Sequence, residues 1–144
     1  MLRLAAFAVT SALAAAAAGP LPPLPEPLGG LLASSPDRLT ITMANTGNRH
    51  MDRKYELECD PVGGNHPSAE EACAKLDRLA AEGKDPFAPV SKRQICSEQY
   101  GGPATAEITG TWRGRTVDAQ FRRTNGCEIR RWEELEPLLP PGRS

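Results

Sequence analysis

The stretch TAEITGTWRGRTVDAQF, residues 105–121, decides the fold of this chain. Apolar residues alternate with polar ones on both sides of Arg113-Gly114, at Ala106, Ile108, Gly110 and Trp112 and then at Val117, Ala119 and Phe121. Alternation with a period of two is typical of a half-buried strand. A glycine-containing pair between two such runs predicts a hairpin turn. We therefore expect two antiparallel strands that share one buried face.

Two more strands are predicted earlier in the chain. Leu39, Ile41 and Met43 alternate with threonines, and Tyr55, Leu57 and Cys59 alternate with charged residues. The polar run between them, residues 44–53, predicts a loop or a long hairpin connection. We expect these two strands to pair antiparallel.

A main helix is predicted after residues 63–67. Pro67 suits a helix start, and Ser68 and Glu71 have the spacing of a capping box. An apolar stripe follows at helical spacing, made of Ala69, Ala72, Cys73, Leu76, Leu79 and Ala80. Gly83 is placed to end the helix. We expect the two leucines of the stripe to cover the sheet.

A short terminal helix is predicted because Ile129, Trp132 and Leu135 recur every third residue. Residues 124–127 before it have the composition of a turn. Residues 137–144 are expected to fray, as chain ends commonly do.

The segment between the main helix and the hairpin, residues 95–103, predicts an exposed loop. It begins with Ile95 and Cys96 and ends with the turn-forming Gly101-Gly102-Pro103. The segment has too little apolar surface for a strand and too much turn chemistry for a helix. It should therefore lie in solvent and be tied down at its start.

The four cysteines allow three disulfide pairings, and their spacing alone does not choose among them. Cys59 at a strand end and Cys73 on the helix that packs over it form one sensible bridge. That choice leaves Cys96, at the base of the loop, for Cys127. Zinc is disfavoured because the chain has no C-x-x-C pair, and disulfide sulfurs are not thiolate nucleophiles.

The start of the chain predicts export. A basic head and an alanine-rich apolar run suggest a signal peptide over residues 1–18, which is shorter than a membrane span. Residues 19–36 are rich in Pro, Leu and Gly and predict a linker. Residues 37–144 then form one domain. Export to the extracellular space favours oxidation of the cysteines to disulfides. After cleavage of the signal no membrane association is expected.

Several function classes are disfavoured by the composition. The net charge is -1 and only 5% of residues are aromatic, so no nucleic-acid partner is expected. His66 could suggest catalysis or metal binding, but beside a proline it is interpreted as a helix-start residue. No cofactor and no metal are predicted. A hydrolase that uses His66 and a nearby acid stays a minor alternative, because no oriented catalytic group accompanies it.

From about Leu39 to Trp132 the sequence resembles the Streptomyces subtilisin inhibitor family of small secreted serine protease inhibitors. The resemblance is carried by several motifs, whose order and cysteine spacing match the family: LEC (57–59), GNHP (64–67) leading into ACAKL (72–76), Ile95-Cys96 followed by Tyr100, GTWRGR (110–115) and NGCE (125–128).

The resemblance implies an α+β fold with two layers. A five-stranded antiparallel sheet would be covered by one main and one short helix, with disulfides Cys59–Cys73 and Cys96–Cys127. It also implies that the chain is not an enzyme and that it forms a homodimer through its sheets.

For the loop, the resemblance implies a reactive bond between Glu98 and Gln99 that a serine protease would attack. Ile95, Cys96 and Ser97 would lie on the acyl side of this bond in the protease cleft, and Tyr100 beyond it. Asn125 matches the family's asparagine that braces the loop from beneath.

Three positions differ from the family pattern. Ser97 replaces a usual proline, and Gly101-Gly102 replaces a single residue, which predicts a longer and looser far side. Glu98 stands where the family offers Met, Lys or Arg, so the resemblance predicts subtilisin-like or glutamate-preferring endopeptidases as partners. The alternative is an extracellular scaffold or a transglutaminase substrate with weak or lost inhibition, in which Gln99, Lys84 or Lys92 would be cross-linked.

Overall fold

The computed structural model describes Gly19 and residues 36–142. The predicted signal peptide and most of the predicted linker lie outside these residues. Within residues 36–142 the chain forms five strands and two helices: β1 (Asp37–Ala44), β2 (Lys54–Cys59), β3 (Gly63–Gly64), α1 (Ala69–Ala81), β4 (Thr105–Trp112), β5 (Arg115–Phe121) and α2 (Gly126–Glu134).

The strands form a single antiparallel sheet in the order β3-β2-β1-β4-β5. Leu39 of β1 lies opposite Leu57 of β2 on one side and opposite Gly110 of β4 on the other. Arg113 and Gly114 form the predicted hairpin turn, with φ values of 49° and 76°. Both values are positive, as a two-residue turn between twisted strands requires. The predicted fold class is confirmed.

One face of the sheet carries the core. Its inward side chains are the predicted alternating residues, and the buried set from the strands comprises Leu39, Ile41, Met43, Leu57, Cys59, Ala106, Ile108, Trp112, Val117, Ala119 and Phe121. Leu76 and Leu79 of α1 and Trp132 of α2 pack into the same cluster. The helices cover this face because burial of their apolar stripes removes a large apolar area from water.

Gly110 lets β4 approach β1 closely. Its φ is +134°, and a Cβ atom at this position would overlap the backbone oxygen of Arg38. A side chain here would therefore have to move the backbone of the neighbouring strand, which explains a glycine on the buried face.

The disulfide between Cys59 and Cys73 joins the end of β2 to α1, with 5.8 Å between the Cα atoms. This distance is typical of an unstrained bridge. The bridge holds the main helix against the end of β2, as predicted from the sequence.

The start of α1 differs from the predicted capping box. Ser68 is the N-cap residue, but its side chain makes no capping hydrogen bond. Instead, Nδ1 of His66 accepts a hydrogen bond from the backbone N–H of Ser68 at 3.0 Å. An imidazole nitrogen thus pairs with a backbone donor that precedes the helix, and the interpretation of His66 as a helix-start residue is confirmed.

The prediction that residues 137–144 fray is wrong for residues 137–142. Leu138 and Leu139 are 1% and 0% exposed. The backbone oxygen of Leu138 lies 2.9 Å from Nε2 of His66, and the indole N–H of Trp132 donates to the oxygen of Pro140 at 2.8 Å. Two buried leucines and two hydrogen bonds to buried rings hold this segment to the core. Arg143 and Ser144 lie outside the described residues.

The β1–β2 loop is organised by Asp52. Its carboxylate accepts hydrogen bonds from the hydroxyl of Thr46 at 2.7 Å and from the Thr46 backbone N–H at 3.0 Å. These two bonds hold the pKa of Asp52 below its ordinary value of 3.8, and the bond from the hydroxyl has the larger effect.

The lowered pKa predicts an acid-dependent contribution to stability. A depressed carboxyl pKa stabilises the folded state at a pH above 3.8, and the contribution is lost as the pH falls below that value. We expect Asp52→Asn to lower the urea midpoint at pH 7 and to match the wild type in strong acid. Urea titrations across this range check it, with the exposed Asp60→Asn as control, and a difference that persists unchanged in strong acid would contradict it.

No helix among the described residues is long and apolar enough to cross a membrane.

Candidate functional site

Residues 95–100 form an exposed segment without helix or strand, as predicted. Ile95 is 98% exposed and Tyr100 is 65% exposed. In the described part of the chain only Val62, at 47%, is also a large exposed apolar residue. Two apolar side chains in water therefore flank the polar residues Ser97, Glu98 and Gln99, which are exposed as well. Exposed apolar groups on a single loop indicate a contact surface for a partner.

The near end of the loop is anchored to α2. The disulfide Cys96–Cys127 connects the two with 5.3 Å between the Cα atoms. One residue further on, the oxygen of Ser97 accepts a hydrogen bond from the backbone N–H of Gly126 at 3.0 Å. A Cβ atom on Gly126 would overlap the hydroxyl of Ser97, so the glycine allows the loop to lie directly on the helix start.

The far end of the loop is held by Arg123, a residue without a predicted role. The backbone N–H of Gly101 donates to the oxygen of Arg123 at 2.7 Å. In return, Nε of Arg123 donates to the oxygen of Gly101 at 3.1 Å. A Cβ atom on Gly101 would lie 2.9 Å from the side chain of Ile129, so this glycine packs tightly. The far side is therefore fixed at Gly101, in contrast to the looser arrangement that the two glycines predicted.

The inward position of Arg123 could have been predicted from the alternation of β5. Val117, Ala119 and Phe121 of β5 point inward, and the same alternation places residue 123 on the inner side. Arg123 is indeed 4% exposed, and its guanidinium lies 5.6 Å from the ring of Trp132. The burial of Arg123 was not predicted, because two consecutive arginines after a strand ordinarily lie in solvent.

Asn125 has a different contact from the predicted one. It is the N-cap residue of α2, and its side-chain oxygen accepts the backbone N–H of Glu128 at 2.9 Å. Among the described residues, the Asn125 side chain makes no other hydrogen bond. An asparagine before a helix satisfies an otherwise unpaired backbone donor. Asn125 thus positions α2, while Gly126 and Arg123 contact the loop directly.

Arg131 holds the connector that leads toward the loop. Its guanidinium donates to the oxygens of Ala88 at 2.7 Å and Gln120 at 2.6 Å and stacks 3.8 Å from the ring centre of Phe121. Burial is the main cause that lowers the pKa of this arginine, and the nearby Glu128 opposes that effect. The side chain ties the connector at residues 87–88 to the edge strand β5.

His66 has no catalytic geometry. Its Nε2 pairs with the oxygen of Leu138, and its Nδ1 accepts from Ser68, so both ring nitrogens are occupied by the backbone. Among residues 36–142, no group of three His, Cys, Asp or Glu residues could hold a metal ion. These contacts argue against the minor hydrolase alternative.

Comparison with protein families agrees with the resemblance seen in the motifs. A family model described as "Subtilisin inhibitor-like" matches residues 33–125, which is more than half of the chain. This chain belongs to the subtilisin inhibitor-like family. The family consists of protease inhibitors, so the prediction that the chain is not an enzyme is confirmed.

Named relatives come from Streptomyces. Subtilisin inhibitor-like protein 1 of Streptomyces cacaoi is 33% identical over 103 residues, which cover 69% of this chain and 90% of the relative. Kexstatin-1 of Streptomyces platensis is 30% identical over 130 residues, covering 88% and 87%. Among solved structures, Streptomyces caespitosus sermetstatin in complex with Bacillus licheniformis subtilisin matches with a TM-score of 0.42 and 23% identity, over 66% of this chain and 89% of that one.

Proposed function

We propose that this protein is a secreted inhibitor of serine endopeptidases and that residues 95–100 enter the protease cleft as a substrate would. The observation that carries the proposal is the exposed loop of a subtilisin inhibitor-like chain, held at both ends by the core. Ser97 and Gly101 are each hydrogen-bonded to the segment that contains α2 and its approach. Between these two points lies the proposed reactive bond, Glu98–Gln99.

The anchoring explains how a short loop could inhibit. An ordered loop loses little conformational freedom on binding, so more of the contact energy contributes to affinity. After any cleavage of Glu98–Gln99, the bridge Cys96–Cys127 and the pairing of Gly101 with Arg123 would keep the new ends close together. Religation then competes with hydrolysis, and turnover is slow.

Glu98 determines the class of protease. A carboxylate loses free energy when it enters an apolar pocket unpaired. A protease with a cationic or histidine-lined pocket would pair with it, whereas a trypsin-like enzyme with an acidic pocket would repel it. The proposed partners are therefore glutamate-preferring endopeptidases first and subtilisin-like enzymes with open pockets second.

Four further parts of the proposal rest on family membership and on the start of the sequence. Residues 1–18 would be removed as a signal peptide, residues 19–36 would form a linker, and the mature domain would act outside the cell. We also propose a homodimer. Among residues 36–142 the helices pack on the core face, and the half-buried Thr40, Thr42, Thr109 and Thr111 lie on the opposite face of β1 and β4, where we propose that a second copy docks.

The function is tested by titrating purified protein against a subtilisin and a glutamyl endopeptidase. We expect slow-turnover inhibition of at least one enzyme at micromolar concentration or below. Mass spectrometry of the slowly formed product should show cleavage after Glu98. Absence of inhibition of both enzymes at micromolar concentration would overturn the proposal.

The alternative is a scaffold or transglutaminase substrate. The exposure of Gln99 fits this alternative. The ammonium of Lys84, in contrast, donates a hydrogen bond to Glu134 at 3.0 Å and lies 3.3 Å from the carboxylate of Glu82, and both acids raise the pKa of Lys84. Incorporation of an amine label at Gln99 without any protease inhibition would favour this alternative.

Removal of the loop bridge gives a separate prediction. In the double variant Cys96→Ser/Cys127→Ser, the loop loses its near anchor, so we expect the inhibitor to become a substrate that is cleaved within the loop. Loss of the bridge should also lower the free energy of unfolding by about 3 to 4 kcal/mol. Time courses of cleavage and urea titrations measure the two effects.

The matched control is Cys59→Ser/Cys73→Ser. This bridge spans 14 residues rather than 31, so its removal destabilises the fold by a similar or slightly smaller amount. It leaves the loop anchor intact, and inhibition should persist under conditions where the variant is folded. Equal susceptibility of the two double variants to cleavage would mean that global stability, not the anchor, protects the loop.

A further inference from the structure

Asn125 and Gly126 form the one Asn-Gly pair of the chain. In such a pair the backbone nitrogen of the glycine can attack the side-chain amide carbon of the asparagine, because glycine has no side chain that blocks the approach. The pair lies at the start of α2, where the exposed loop at residues 95–100 rests on the helix. Both residues are only half-buried, so water and hydroxide reach them. The pair is therefore a candidate site of spontaneous deamidation.

The nitrogen that would attack is occupied by the loop. The backbone N–H of Gly126 donates to the oxygen of Ser97 at 3.0 Å. The attack requires this nitrogen to lose its proton, and a proton held in a hydrogen bond of the folded chain exchanges only when that bond opens. The hydroxyl of Ser97 also lies against the glycine, since a Cβ atom on Gly126 would overlap it. The loop thus covers the nucleophile.

The amide that would be attacked is held as well. Oδ1 of Asn125 accepts the backbone N–H of Glu128 at 2.9 Å. To reach the nitrogen of Gly126, the side chain must leave this capping bond, which leaves a backbone donor of α2 unpaired. The bridge Cys96–Cys127 restrains both segments beside the pair. Deamidation therefore needs two hydrogen bonds to open together next to a covalent bridge.

We propose that Asn125–Gly126 is a latent deamidation site, which the loop protects and which reacts when the loop leaves α2. In the open state a hydroxide ion removes the proton from the nitrogen of Gly126, and this nitrogen forms a bond to Cγ of Asn125. The bond from Cγ to Nδ2 breaks, and ammonia leaves with a proton taken from water. The five-membered imide then consumes one water molecule and opens to aspartate or to isoaspartate.

The two products differ in their effect on the loop. An aspartate at position 125 keeps an acceptor at the N-cap and places a negative charge at the start of α2, which is favourable. In isoaspartate the backbone runs through Cβ and gains one methylene group before Gly126. The N–H of Gly126 is then displaced from the oxygen of Ser97, and the near end of the loop is weakened permanently. No protease takes part, so the site is independent of the proposed function.

The test compares the purified protein with a synthetic peptide of residues 122–128 that carries Cys127→Ser, both incubated at mildly alkaline pH. Peptide mapping by mass spectrometry follows the product at position 125. We expect the intact protein to react at least about tenfold more slowly, because the pair is reactive only in the open state. The slowing should be at least as large as the hydrogen-exchange protection of the Gly126 amide. Equal rates, or a slowing smaller than this protection, would overturn the proposal.

Two double variants separate the loop from global stability. Cys96→Ser/Cys127→Ser releases the loop from α2, so Asn125 should react at least about tenfold faster than in Cys59→Ser/Cys73→Ser, which keeps the loop bridge. Equal acceleration in both variants would mean that global unfolding, and not the loop, controls the reaction. If the first variant does not fold, the comparison of wild-type deamidation with hydrogen exchange decides.

The site of the reaction is located by Asn125→Gln, in which the corresponding ring has six members and forms far more slowly. The product should disappear from this segment of the variant. Asn65 is an internal control, because histidine follows it and hinders the attack. Faster conversion at Asn65 than at Asn125 in the loop-released variant would contradict the assignment.

Discussion

Replacement of Glu98 by methionine should raise the affinity for subtilisin by about ten- to a hundredfold, because each factor of ten corresponds to about 1.4 kcal/mol. The physical reason is desolvation. The glutamate carboxylate is exposed in the free protein, and an apolar pocket would remove its water without supplying a partner. Methionine has a similar length and no charge, so it fills the same pocket without this loss.

The same substitution should weaken inhibition of a glutamyl endopeptidase by a comparable or larger factor, because the cationic pocket would lose its partner. Inhibition constants for both enzymes measure the two effects. Glu70→Met is the matched control, since Glu70 is exposed on the first turn of α1 and lies outside the loop. Unchanged constants for Glu98→Met with both enzymes would show that residue 98 does not enter the pocket.

Truncation of Leu139 to alanine is expected to lower the free energy of unfolding by about 2 to 5 kcal/mol, the usual cost of a large-to-small change in a core. Leu139 is 0% exposed and belongs to the same cluster as Trp132 and Leu135. The loss would be a large share of the roughly 5 to 15 kcal/mol that typical domains possess.

Val62→Ala is the control for this prediction. It removes apolar atoms from a side chain that is 47% exposed, so the unfolding free energy should change by less than about 0.5 kcal/mol. Urea titrations of both variants give the comparison. Equal, small effects would mean that residues 137–142 do not contribute to the folded core, as fraying would require.

The terminal segment also bears on the loop. Residues 140–142 line a cavity of about 130 Å³ together with Arg123 and Trp132. The indole N–H of Trp132 donates to the oxygen of Pro140, and its ring centre lies 5.6 Å from the guanidinium of Arg123. Leu139→Ala is therefore expected to loosen the support of Gly101 as well as the core. Inhibition constants for the folded variant, measured at low temperature, would show this second effect.

Four of the five strands, β1, β2, β4 and β5, could be predicted from the sequence. Residues such as Leu39, Ile41 and Ile108 alternate with polar neighbours, and a strand places alternate side chains on opposite faces wherever it is. The glycine-containing turn at residues 113–114 is equally local. The exposed loop could be predicted too, since its turn residues exclude regular structure whatever surrounds it.

The burial and the hydrogen-bond partners of individual side chains could not be predicted from the sequence, because they depend on the tertiary structure. Arg123 is buried and Arg122 is exposed although they are the same residue type side by side. Only Arg123 continues the inward alternation of β5 and pairs with Gly101 of the loop. His66, whose Nε2 pairs with the oxygen of Leu138 in the terminal segment, accepts the backbone N–H of Ser68. In a capping box this N–H would pair with the side chain of Glu71.

The sequence by itself therefore determined β1, β2, β4 and β5, the two helices, the family and the position of the exposed loop, since each follows from local periodicity or from motifs along the chain. The two-residue strand β3 has no periodicity of its own and is defined by its pairing with β2. The tertiary structure decided which groups hold the loop, that Asn125 caps α2, and that residues 137–142 complete the core. Those contacts join residues far apart in sequence, and their free energy depends on burial and hydrogen-bond geometry, which exist only once the layers are packed.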